Sequence, residues 1–373
     1  MIKVLVAGDF CPHHRVAELL SQGDYSFFEG VKERIAAADY AVVNFECPVV
    51  EGEVQAIEKC GPALRTTVAA VEAIISSGFH AVTLANNHFR DYGDVGCQTT
   101  LHALERAGLD MVGGGMNLSE AQQILYKTIR DKRLAIVNFC ENEFSIATTT
   151  QAGAAPLDLI DNIRQIREAR ENADYVLVIV HGGHEHYQLP SPRMKKLYRF
   201  FVECGADAVV NHHQHCYSGY EVYQGHPIVY GLGNFCFDWE GQRSSTWNEG
   251  YCVELQFEEG RVGIKLLPYT QCDESPIVEW RQPKQITSFE KHIEKLNHII
   301  SEDMLLQEAF GQWVEKQQKI KMNIFASYHN RYLNAAAYRG WIPRLITKSE
   351  LGAIINHIEC ESHRDVTLAV LKK

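Results

Sequence analysis

Three imidazoles crowd into the run Asn211-His212-His213-Gln214-His215, directly after the apolar stretch Ala208-Val209-Val210. Neutral imidazole is the commonest metal ligand among side chains, and the ends of buried strands are where open α/β sheets place their chemistry. His213 and His215 stand at i and i+2, so one short loop can serve two neighbouring ions. A histidine-rich surface turn is the bland alternative. Against it stands the company at other apolar-run ends: Asp9, Asn44 and Glu46, Asn86-Asn87-His88, His181 with His184 and Glu185, and Asn234. Carboxylates, amide oxygens and imidazoles in one place suit Mn, Fe or Zn better than Ca²⁺ or a thiolate-bound structural metal. Two such ions about 3.5–4 Å apart polarise a substrate oxygen and activate water at neutral pH.

Other groups are weaker candidates. His13 and His14 read equally well as a solvated loop, and His226 as a turn residue. Gly113-Gly114-Gly115 lacks the Lys-Ser/Thr pair of a phosphate-binding loop. Of His184, Glu185 and His186, one reads as facing the site and the others as facing solvent, and no serine nucleophile elbow occurs.

The elements that must position these residues alternate. Ile2 to Ala7, Tyr40 to Val43, Ala81 to Ala85, Leu134 to Val137, Tyr175 to Val180, Ala208 to Val210 and Ile228 to Leu232 are short continuous aliphatic runs. Strands buried on both faces read this way. Parallel pairing in one sheet would bring their polar ends to one edge. Helical patterns separate them: Ala63 to Ser77, Val95 to Ala107, Leu157 to Ala173, and Pro192 to Cys204 behind an N-cap at Ser191. The alternation predicts a layered α/β fold. Tyr251 to Phe257 and Arg261 to Leu267 flank Glu258-Glu259-Gly260 and predict a hairpin. After Pro283 the pattern turns helical and polar, at Ser288 to Ile300, Glu302 to Lys321, Ala335 to Arg339 and Lys348 to Glu359. A boundary near residue 280 divides residues 1–280 from a helical region, 281–373.

Composition bounds the function classes. With 46% hydrophobic and 22% charged residues over 373 positions, a large core is expected and disorder is not. A net charge of −11 argues against general nucleic-acid binding, though a bound metal would still admit an anionic substrate. The 11 cysteines lack a C-x-x-C pair. Cys140, Cys236 and Cys252 sit in apolar runs as buried thiols, which suits a reducing compartment. The opening run is too short for a signal peptide, and no stretch of ~18 apolar residues occurs. A cytoplasmic location without a membrane anchor is expected, with homo-oligomerisation left open.

Taken in order, Gly8-Asp9, Asn44-Phe45-Glu46, Ala85-Asn86-Asn87-His88, His181-Gly182-Gly183-His184-Glu185, His212-His213-Gln214-His215 with Glu221, and Tyr230-Gly231-Leu232-Gly233-Asn234-Phe235 resemble the CapA family. This is the bacterial capsule synthesis (PGA_cap) family associated with poly-γ-glutamate, related to calcineurin-like metallophosphoesterases. The resemblance spans roughly residues 1–240. It implies a four-layer α/β/β/α metallophosphoesterase-like sandwich with a helical C-terminal extension. It also implies Asp9 and His215 on a first divalent metal, Glu46 bridging, Asn87, His181 and His213 on a second, and His88 as the proton donor, with Glu185 as a further catalytic candidate.

The chain departs from the metallophosphoesterase pattern at Cys11, Gly182, Asn211 and Gln214. These changes imply a weakened or missing first metal. The expected function is a metal-dependent hydrolase for a phosphoester or glutamyl-amide bond in an anionic small molecule or polymer, linked to capsule or surface-polymer synthesis. The alternatives are a non-catalytic accessory or scaffold with a degenerate metal site and a carbohydrate-linked phosphatase.

Overall fold

The structure, a computed structural model, describes residues 1–324, 330–343 and 348–371. In chain order its strands are β1 (Ile2–Phe10), β2 (Tyr40–Phe45), β3 (Ala81–Thr83), β4 (Asp110–Val112), the short β5 (Gly114–Gly115), β6 (Leu125–Ile129), β7 (Lys132–Cys140) and the short β8 (Gly153–Ala154). They continue as β9 (Tyr175–His181), β10 (Ala208–His212), β11 (Tyr220–Tyr223), β12 (His226–Val229), β13 (Asn234–Cys236), β14 (Glu249–Glu258), β15 (Arg261–Gln271) and β16 (Val278–Trp280).

These strands form two large sheets, ordered β16-β15-β14-β1-β2-β3-β4 with β13 beside β1, and β11-β12-β10-β9-β7-β6. The single sheet edge expected from the strand pattern is therefore two. Asp9 near the end of β1, and Glu46 and Asn87 after β2 and β3, belong to the first sheet, whereas His181 at the end of β9 and His213 after β10 belong to the second. The inner faces meet where β1 approaches β10 and β12 approaches β15. Helix Glu29–Ala36 covers the outside of the first sheet, and helices Leu159–Asn172 and Pro192–Glu203 cover the second. The result is the four-layer α/β/β/α sandwich. Val4, Leu5 and Val6 of β1 and Val176 to Val180 of β9 are fully buried, which is why they read as unbroken aliphatic runs.

One irregularity aims the first acid. The register of β1 against β2 shifts between Ala7 and Asp9, so that Asp9 pairs with Asn44. A bulge re-aims the side chains that follow it. Gly8 sits in the shift, and a β-carbon there would lie 1.9 Å from the Gly233 carbonyl oxygen. Only glycine allows β13 that close.

Three helix expectations change, one of them the helix expected from Ser288, which begins at Pro283. The helix expected over Ala63 to Ser77 is Ala69–Ser76. Thr66 instead bridges to Val49, donating to the Pro48 carbonyl and accepting from Val50 N–H. The helix expected over Ala335 to Arg339 starts earlier, at Arg331, because the Asn330 side chain caps the Tyr332 and Leu333 amides. The hairpin is present as β14 and β15, with Glu258 opposite Arg261.

The last strand ends at Trp280, and helix Pro283–Ser301 follows, with Pro283 in its first turn. Phe289, Ile293, Leu296 and Ile300 form its buried stripe, at helical spacing. Phe289 packs against Tyr217 and Tyr251, so these helices share the core of the sandwich. The final helix, Glu361–Leu371, was not apparent as a separate element in the sequence pattern.

Arg193 fastens that last helix. It donates to Glu141 Oε1 at 2.6 Å, to Asp365 Oδ2 at 2.5 Å and to Ser362 Oγ at 3.2 Å. Burial alone would raise the Glu141 carboxyl, but Arg193 and Ser362 outweigh it and hold it at about 2. Removing one partner of a buried pair strands the other charge and costs about 3–5 kcal/mol. Arg193→Ala should lose a stability of that order in denaturant unfolding and expose the final helices to limited proteolysis. Unchanged stability and protection would show that the network fastens nothing.

Candidate metal centre

The centre is built around Glu46. Its side chain is 0% exposed, and neither carboxylate oxygen has a hydrogen-bond partner. Two sets of donors converge on it: Glu46 with His181 and His213, and Glu46 with Asp9 and His215, the ligand atoms of each set lying within 4.8 Å of one another. An anion buried without hydrogen bonds is costly. A shared cation would satisfy this geometry. Burial and the neighbouring Asp9 and Glu185 push the Glu46 carboxyl well above its ordinary range.

Around the second position, His181 Nε2 lies 3.0 Å from Asn87 Oδ1, 3.1 Å from His213 Nδ1 and 3.5 Å from Glu46 Oε1. Asn44 braces the group from behind. Its amide donates to Asp9 Oδ1 at 2.8 Å and approaches His181 Nδ1 at 3.2 Å, while its oxygen accepts from Thr83 at 3.1 Å. Asn86 turns inward to the Phe45 carbonyl and accepts the His88 amide, so it shapes the turn that presents Asn87.

At the first position, His215 stands 3.8 Å from both Asp9 Oδ2 and Glu46 Oε1. Its Nδ1 is 2.9 Å from Asn234 Oδ1, an acceptor that keeps a proton on Nδ1 and leaves Nε2 for a metal. The ring rests on Trp247 at 4.7 Å, in a dry cluster with Cys11, Cys47 and Phe237. Burial there lowers the His215 imidazole to about 4, although Glu185 and Asp9 oppose the shift. Burial and the surrounding imidazoles likewise hold His181 well below its usual value. Both rings are thus kept in the neutral, ligating form.

The chain reaches this arrangement with backbone cost. His213 has φ 90° and His215 φ 54°, both left-handed. Side chains other than glycine adopt this region at an energetic penalty, and such residues cluster at functional sites. The kink turns both imidazoles toward Glu46 at the end of β10. His212 points elsewhere, with Nε2 2.9 Å from the Ala7 carbonyl.

The departures from the metallophosphoesterase pattern have physical occupants. Asn211 ties three segments together, donating to the Gly182 and Tyr230 carbonyls and accepting from the Tyr198 hydroxyl. Gln214 donates to the Tyr187 and Leu189 carbonyls. Any side chain at Gly182 would meet Glu141, whose Cγ is 2.6 Å from the β-carbon position. Cys11 joins the dry cluster and offers packing in place of a metal donor.

A cavity of about 610 Å³ opens beside the centre, lined by Asn87, His88, Glu143, Glu185 and the C-terminal Asn356 and His363, among others. His88 Nδ1 lies 2.7 Å from Asp91 Oδ2. Asp91 is 0% exposed, accepts the Leu64 amide and pairs with Lys59. Lys59 Nζ also approaches His88 Nδ1, at 3.2 Å, but the carboxylate is nearer and can only accept, so it favours a proton on Nδ1 and leaves Nε2 to exchange protons. Glu185 stands at the cavity wall and keeps water contact. Crowding by protein would raise its carboxyl, but His215, His213, His186 and His363 outweigh that and hold it at about 2.

His184 is buried against Phe310 and Trp313, His13 stacks on Trp239, and His226 contacts the Asp207 carbonyl. Gly113 packs against Asn138. Glu221 pairs with Arg199, away from the centre. Sequence reasoning missed Asp91, Lys59 and Glu143. Asp91 had a signal, an acid one turn after His88, whereas Lys59 and Glu143 arrive from separate loops.

The model of the bacterial capsule synthesis protein PGA_cap family matches residues 3–239. The chain is 33% identical over 246 residues to the capsule biosynthesis protein CapA of Bacillus anthracis, covering 64% of this chain and 60% of that protein. It is 34% identical over 247 residues to the PGA biosynthesis protein CapA of Bacillus subtilis, covering 64% of each. It therefore spans less than two thirds of the length of these relatives. Among solved structures it is similar to a phosphatase from Mycoplasma pneumoniae, with TM-score 0.47, 13% identity, and 77% of this chain and 96% of that chain covered.

Proposed function

The chain belongs to the bacterial capsule synthesis protein family, and from that premise we propose that it is a metal-dependent hydrolase of an anionic phosphoester or glutamyl amide in capsule or surface-polymer synthesis. The observation that carries this reading is the buried, unpartnered Glu46 shared by two donor sets. Asp9, His215 and Glu46 would hold one divalent transition ion, and Glu46, Asn87, His181 and His213 a second. When bound, such ions supply Lewis acidity toward a substrate oxygen and a nucleophile at neutral pH. His88, held by Asp91, presents its other nitrogen to the cavity to protonate a leaving group. Glu185 lines the same cavity, where it can orient a water or a substrate N–H or O–H. No helix among the described residues is long and apolar enough to cross a membrane; a cytoplasmic location is part of this proposal.

A second reading, an accessory protein with a degenerate centre, is favoured by Cys11, which leaves the first position with three donors. Elemental mass spectrometry separates the two. About two transition-metal equivalents per chain, lost in His213→Ala/His215→Ala and accompanied by turnover of aryl phosphates or γ-glutamyl anilides, is the expected result. A metal-free wild-type protein after incubation with Mn²⁺, Fe²⁺ and Zn²⁺ would overturn the hydrolase.

A further inference from the structure

The C-terminal helices grip three consecutive residues at the end of β7. Glu141 takes Arg193 and the Ser362 amide. Asn142 gives its backbone and side-chain N–H groups to the two oxygens of Glu361, at 3.0 and 2.8 Å. Glu143 accepts from Asn356 Nδ2 at 3.2 Å through Oε2, which leaves Oε1 4.0 Å from His213 Nε2. The opposite nitrogen of that ring, Nδ1, faces His181. Metal-bound imidazoles commonly direct their second N–H at a carboxylate, which sets ring orientation and basicity.

We propose that Glu143 is a positioning residue for His213 and that Asn356, from helix Lys348–Glu359, holds it in place, so that the C-terminal helices are part of the metal centre. The inference rests on His213 as a ligand. The family match ends at residue 239, so it does not account for these helices. Burial first, and Glu185 beside it, raise the Glu143 carboxyl, while His213 and Asn356 draw it back, which fits a group placed between the two.

Titration of the metal-stripped full chain with Mn²⁺ tests this. Glu143→Gln and Asn356→Ala should each weaken the second equivalent by about 10–100-fold. Asn142→Ala, which removes the side-chain half of the neighbouring Glu361 clamp without touching His213, should leave Mn²⁺ affinity unchanged. Equal affinity in wild type and Glu143→Gln overturns the inference, as does an equal loss in Asn142→Ala, which would mark a structural effect. Wild-type protein that binds Mn²⁺ but turns over no substrate would sink the hydrolase and leave this comparison intact. Wild-type protein that binds none overturns both.

Discussion

Glu46→Gln should empty both metal positions and reduce hydrolysis by more than about 100-fold, beyond what loss of a supporting residue costs, yet leave the unloaded fold at least as stable as wild type. The two halves of that expectation have one cause. The wild-type carboxylate is fully buried and neither oxygen is hydrogen-bonded. It stands close to Asp9 and Glu185, which repel its charged form. In the unloaded protein this is a liability, because an uncompensated polar group in a dry site costs free energy. An amide of the same shape removes the charge. The same change removes the donor that both ligand sets share. Asp9→Asn, by contrast, removes a ligand of the first set alone, keeps an oxygen for the Asn44 and His213 N–H groups, and should spare the second equivalent. Metal content and thermal unfolding of the stripped proteins check this. Retention of both equivalents, or a fall in Tm of more than about 5 °C, which for a protein of this size exceeds a cost of 1 kcal/mol, would show that Glu46 is a structural carboxylate.

Much of the centre was legible because strand physics isolates its residues. A strand covered on both faces is written in aliphatic residues, so an acid, amide or imidazole at its end stands out. Asp9 after Ile2 to Ala7 and His181 after Tyr175 to Val180 are of this kind. What strand runs do not encode is their partition into sheets. β1 pairs with β14, whose Val253 lies opposite Val6, a contact between distant parts of the chain that no local pattern announces. Hence two sheets, not one, supply the donors. The same limit hid Glu143, Asn356 and Lys59, which act through hydrogen bonds to remote residues. The segment before Ala69 read as part of the helix that runs up to Gly78, and the pairing of Thr66 with Val49 overrode that expectation.

Asp91→Asn should cut turnover by about 10²–10⁴-fold, the contribution of a positioned general acid, with metal content unchanged, and should also destabilise the fold. Asp91 serves two clients. It fixes the Nδ1 proton of His88, and it compensates Lys59, whose side chain is only 4% exposed. An amide can present its nitrogen or its oxygen to His88, so the tautomer is no longer dictated. It also leaves the ammonium of Lys59 buried without a counter-charge, which costs about 3–5 kcal/mol. A second substitution separates the roles. In Lys59→Met/Asp91→Asn the stranded charge is gone, so stability should return toward wild type while turnover stays low. The coupling between the two sites, read as a double-mutant cycle, should therefore be large for unfolding and near zero for rate. If the double variant regains both, Asp91 acts on catalysis only through stability, and His88 loses its place as the proton donor oriented by that carboxylate.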